Sequence, residues 1–124
     1  MTRPRPYTVF DDTALLALGS GNRLAARLLV SSEEEGFLVP VMSLYTAGQQ
    51  RAEIIPYMGV LEVTFVPLNF AGLVAIQDSH LPPGAAHALA CAGMLYSSPV
   101  HLATTEPARY EGSGISTIDL NGQG

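Results

Sequence analysis

The strongest constraint on the fold is a rhythm: short apolar, β-rich runs separated by stretches of helical character. Five such runs stand out, Tyr7–Phe10, Phe37–Val39, Leu61–Val66, Val100–Ala103 and Ile115–Leu120. Runs this short and this continuously apolar suit strands buried on both faces, as in a parallel sheet covered by helices on each side. The alternation predicts an α/β fold of three layers, with a central five-stranded, mainly parallel sheet flanked by helices. No repeat, linker or low-complexity tract divides the chain, so residues 1–124 form one predicted domain, with 1–6 and 121–124 frayed.

The intervening segments read as helices with recognisable ends. Asp12 or Thr13 is expected to cap a short helix through Leu18. Gly19-Ser20-Gly21-Asn22 breaks it and opens a second helix, which Glu33-Glu34-Glu35-Gly36 ends as a solvated turn. Val41 to about Tyr57 reads as one helix that Pro56 kinks or ends. Asn69 caps a helix from Phe70 to about Gln77, and Pro82-Pro83 opens an alanine-rich helix through Tyr96.

Composition excludes several classes of function. Eleven acidic against 6 basic residues give a net charge of −5, and every basic residue is arginine. A duplex-binding module draws its affinity from phosphate neutralisation, which this balance does not favour. With one cysteine, Cys91, the chain has no intrachain disulfide and no cysteine-based zinc site, and a reducing, cytoplasmic setting fits. The basic start Met1–Pro6 is followed at once by Asp11-Asp12, against a signal peptide. Ser79–Thr105 carries no Asp, Glu, Lys or Arg, but Pro82, Pro83, Pro99 and the histidines leave it short of the ~20 apolar residues of a membrane span.

In an open parallel sheet, functional groups collect beyond the carboxyl ends of the strands, where the strand order reverses. Asp11-Asp12 ends the first run and Thr104-Thr105-Glu106 the fourth. If those strands are neighbours, their carboxylates share one crevice and can hold Mg²⁺ or Mn²⁺ through oxygen ligands. The structural alternative is that Asp11 and Asp12 cap the first helix and Glu106 caps a turn before Pro107. An Asp-Asp pair after strand one also suits a phosphoacceptor receiver, but that needs a lysine and the chain has none. His80, His87 and His101 share no metal-like spacing, and His87 within an apolar helix reads as a satisfied core histidine. Gly19-Ser20-Gly21 lacks the glycine spacing of the nucleotide fingerprints, and no Gly-x-Ser-x-Gly elbow is present.

Taken in order, these pieces resemble the PIN-domain family, the fold of the virulence-associated-protein C type toxin ribonucleases. The opening Val9-Phe10-Asp11-Asp12-Thr13-Ala14-Leu15 is similar to the family's strand, Asp, any residue, Ser or Thr, then apolar helix. The close, Leu102-Ala103-Thr104-Thr105-Glu106 with Tyr110 following, is similar to its strand, Thr, any residue, Asp, then aromatic. Phe37-Leu38-Val39-Pro40 resembles the second strand and its proline. The resemblance implies an acidic quartet holding Mg²⁺ or Mn²⁺, with Asp11 first and Glu106 fourth. At the second position stands the neighbourhood Tyr45-Thr46-Ala47, and at the third Ala85 within Gly84-Ala85-Ala86-His87. Two of the four acids are therefore missing. Glu53, seven residues past Thr46 on an assumed continuous helix, is about 10 Å along its axis and too far to substitute. Asp78, ahead of Pro82-Pro83, would substitute only by folding back, which nothing in the sequence requires, and Asp12 faces the crevice if the first strand ends before it.

The leading expectation is a degenerate PIN-like domain with an impaired nuclease centre, acting through protein or RNA binding. The competing one is a Mg²⁺- or Mn²⁺-dependent ribonuclease, the toxin of a toxin–antitoxin pair. There Asp11 and Glu106 would hold the metal, with Asp12 as a further candidate ligand, and Thr104 or Thr13 would orient a water. A purely structural protein is the third. By family, the resemblance implies a homodimer and a small regulatory, antitoxin-like partner. The helix Gly84–Tyr96 with Tyr45, Tyr57 and Tyr96 is the candidate dimer surface.

Overall fold

The computed structural model describes residues 7–61, 63–94 and 100–121. The elements run β1 (Tyr7–Phe10), α1 (Asp12–Gly19), α2 (Arg23–Gly36), β2 (Phe37–Pro40), α3 (Val41–Gln50), α4 (Ile54–Gly59), β3 (Thr64–Val66), α5 (Phe70–Asp78), α6 (Pro83–Gly93), β4 (Val100–Thr104), a 3₁₀ turn (Pro107–Tyr110) and β5 (Ser116–Asp119). The strands form one sheet in the order β3-β2-β1-β4-β5, and every pairing is parallel. This is the predicted three-layer α/β arrangement. The register sets Val9 beside Leu38 on one side and Leu102 on the other.

Alternation along the strands fills two cores. Phe10, Phe37, Val39 and Ala103 point to one face and pack with Ala14, Leu15, Leu18, Ile54 and Met58 from α1 and α4. Phe10 and Phe37 stack there as tilted rings with centroids 4.4 Å apart. Val9, Leu38 and Leu102 point to the other face and pack with Ala85, Ala88, Cys91 and Ala92 of α6. Each central strand is thus apolar on both sides, which accounts for its unbroken hydrophobic run.

Several boundaries differ from the sequence reading. The cap of α1 is Asp11, one residue before the expected pair, because the β1 ladder carries on until Asp11 N–H meets the Ala103 carbonyl. The glutamates 33–35 do not form a turn: α2 continues to Gly36 and β2 begins at Phe37. The single helix expected over Val41–Tyr57 is two. α3 stops at Gln50, where Arg51 turns extended, and Pro56 lies in the first turn of α4, where its missing N–H costs nothing. Asn22 accepts from Ala25 N at 2.9 Å and donates to the Leu120 carbonyl at 3.1 Å, which latches the α1–α2 break to the end of β5. Asn69 caps α5 through Gly72 N at 2.7 Å, as its position suggested. Tyr96, residues 1–6 and residues 122–124 lie outside the described residues. No described helix is long and apolar enough to cross a membrane.

A candidate acidic site closed by an arginine

The chain builds β2 and β3 on one side of β1, then crosses back to place β4 on the other. The reversal falls between β1 and β4, so Asp11-Asp12 and Thr104-Thr105-Glu106 emerge side by side at their carboxyl ends. Asp11 is fully buried there. Its Oδ1 accepts from the Ala14 backbone N–H at 2.9 Å and from the Thr13 hydroxyl at 2.7 Å. Its Oδ2 accepts from the Tyr110 hydroxyl at 2.7 Å and faces Arg109 Nη1 at 3.6 Å. Burial raises the Asp11 pKa above the ordinary carboxylate value, and the hydrogen bonds it accepts pull the other way.

The threonines are tied into the same network. Thr13 Oγ1 and Thr104 Oγ1 lie 3.0 Å apart. Thr13 spends its one hydroxyl proton on Asp11, so Thr104 is the donor of that pair. Thr13 Oγ1 then also accepts from Thr105 N at 2.9 Å, and Thr104 Oγ1 accepts from Glu106 N at 2.9 Å. The two hydroxyls named in the sequence as water-orienting groups are committed to fastening α1 to the end of β4.

Arg109, on the 3₁₀ turn, reaches back across the crevice. Its Nη1 binds Asp12 Oδ1 at 2.9 Å and its Nη2 binds Glu106 Oε2 at 3.1 Å. Burial disfavours the guanidinium, but the Asp12 hydrogen bond and the charges of Asp12, Asp11 and Glu106 outweigh this and raise its pKa. Asp12 is 2% exposed and Glu106 side chain 56% exposed. Removing one partner of the buried Asp12 pair would strand a charge out of water, whereas an exposed pair such as that of Glu106 is worth about 0–1 kcal/mol. Burial, and then the Asp11 charge, drive the Tyr110 hydroxyl pKa upward, so it remains a proton donor to Asp11.

The remaining acids stay apart from this group. Glu53 sits beyond the end of α3, exposed, and pairs with Arg51 at 3.3 Å, so the continuous helix assumed for it does not exist. Asp78 is exposed at the last residue of α5. Ala85 is buried among Val9, Leu38 and Leu102. Thr46 lies against Gly84: a Cβ built on Gly84 would come within 2.9 Å of Thr46 Cβ and Oγ1. Of the two positions at which the resemblance expects acids, Thr46 is therefore in a helix–helix contact and Ala85 packs against the sheet. Among the described residues no group of three His, Cys, Asp or Glu is arranged to hold a metal ion. Mg²⁺ and Mn²⁺ need several free oxygen ligands, and the oxygens of Asp11 already accept three hydrogen bonds and face the Arg109 guanidinium. The donor set does not fit a divalent cation.

What sequence reasoning missed is Arg109 and the Tyr110 hydroxyl. The available signal was Glu106-Pro107-Ala108-Arg109, an acid and a base three apart on a proline-initiated turn. Beside the network is an open cleft of about 330 Å³, lined by Thr13, Leu16, Gln50, Glu106 and Arg109 among others. His87, by contrast, is engaged elsewhere: its Nδ1 accepts from Met42 N at 3.2 Å.

No family model and no curated protein matches the sequence. The structure does match a solved one, a toxin–antitoxin complex from Klebsiella pneumoniae, with a TM-score of 0.62 at 17% sequence identity. The match covers 91% of this chain and 97% of that one, so the two share a fold over nearly their whole lengths.

Proposed function

We propose that the chain is a PIN-like domain related to the toxin ribonucleases, with an impaired metal centre, which acts by binding a protein partner. The observation that carries this reading is the state of Asp11. The residue on which metal chemistry would centre has both carboxylate oxygens satisfied by Thr13, Ala14, Tyr110 and Arg109. The fold it shares with a protein solved as part of a toxin–antitoxin complex supports a protein partner, a small regulatory chain or a second copy. The net charge of −5 favours such a partner over RNA.

Calorimetric titration of Mn²⁺ tests this without a guess about substrate. The wild type is expected to give no binding heat at millimolar Mn²⁺. Micromolar binding that Asp11→Ala and Glu106→Ala both abolish would overturn the reading and establish a working metal site, directing the search to RNA substrates.

A further inference from the structure

We infer that the Arg109 guanidinium is the resident cation of this centre, a covalently held replacement for the divalent ion that PIN-like chemistry would place there. The inference rests on the proposed family reading. Two consecutive residues of the 3₁₀ turn, Arg109 and Tyr110, grip two consecutive residues at the end of β1, Asp12 and Asp11. The guanidinium is 17% exposed and spans three carboxylates with two nitrogens. A planar fork of five donors suits that task, and its charge is present at every accessible pH. Without a positive group here, Asp12 at 2% exposed would be a buried, unpaired charge. Tyr110, packed against Val9 and Leu102, anchors the turn so that the arginine cannot drift from its acids.

The neighbouring contacts support the same reading. A divalent ion would demand oxygens at about 2.1 Å and near-octahedral order. Here the acids are spread along the two ends of an elongated guanidinium, and the second and third acids of the quartet are absent, at Thr46 and Ala85. The centre therefore joins the end of β1 to the turn after β4, as a shared metal would, but leaves no exchangeable position.

A double-mutant cycle on Arg109→Gln and Asp12→Asn, read by melting temperature with and without Mn²⁺ or a chelator, tests this. Arg109→Gln alone is expected to lower the melting temperature by roughly 10 °C, as removing one partner of a buried pair does in a domain this size. The double variant is expected to regain more than half of that loss, and neither Mn²⁺ nor chelator should move the wild type. If Arg109→Gln does not fold, folding of the double variant supports the inference and its failure to fold overturns it. Additive losses in the cycle, or an Arg109→Gln within 2 °C of wild type (roughly the resolution of such shifts), overturn it while leaving the proposed function standing. A wild type stabilised by Mn²⁺ overturns both.

Discussion

His87 shows how one residue can be read correctly and still be understood only in three dimensions. Its Nδ1 accepts the backbone N–H of Met42 in the first turn of α3. Burial lowers its pKa below the ordinary 6.5, and the Pro67 contact opposes the shift. Protonating Nδ1 would also displace the Met42 donor. A depressed histidine pKa means that the unfolded chain takes up the proton first. The stability His87 contributes is thus present above about pH 6.5 and is lost as pH falls through its folded value. Denaturant melts at pH 7 and pH 5 should show a larger loss for the wild type than for His87→Gln; equal losses would remove His87 from the acid response. The apolar helix around His87 identified a satisfied core histidine, but the partner lies 45 residues away, where no local pattern reaches.

At the scale of elements, the contact between α3 and α6 is tighter than either helix alone suggests. Ser43 Oγ donates to the Gly84 carbonyl at 2.7 Å, and a Cβ on Gly84 would stand 3.1 Å from Ser43 Cα as well as against Thr46. A backbone atom cannot rotate away as a side chain can. Gly84→Ala is expected to cost about 1–3 kcal/mol, the usual price of overpacking, measured by urea unfolding; a neutral change would show that α6 slides freely. The alternation of strands and helices was legible because apolar runs and caps are local, as with Asn69 and Pro83. The break between α3 and α4 was not. Arg51 leaves the helix where its guanidinium donates to Ser20 at 2.7 Å, and Ile54 fills the space over Gly19, both tertiary events. The acidic cluster was legible as Asp11, Asp12 and Glu106, since strand ends mark where such groups meet. Arg109 was not, because a base on a surface turn looks the same whether it faces solvent or reaches inward.

Across the whole molecule, burial moves the candidate association surface. Of the expected dimer face, Gly84–Ala88, Cys91 and Ala92 of α6 are buried against the sheet, α3 and α5, whereas Tyr45 and Tyr57 are exposed. The uncovered apolar face belongs to α5, where Phe70 is 79% exposed and Leu73 and Val74 stand beside it, with Gly72 its only buried residue. A helix apolar on all sides is ordinarily covered. If the proposed homodimer forms there, sedimentation equilibrium should give twice the monomer mass for the wild type and the monomer mass for Phe70→Asp, with unchanged circular dichroism. A monomeric wild type would remove the homodimer from the proposal. Asp11 and Tyr110 are separated by 99 positions, Asp12 and Arg109 by 97. On a ribosome, the central strand is therefore made well before its counter-charge. During synthesis the two aspartates precede Arg109 and Tyr110, so closure of the acidic centre waits on a turn made long after its acids.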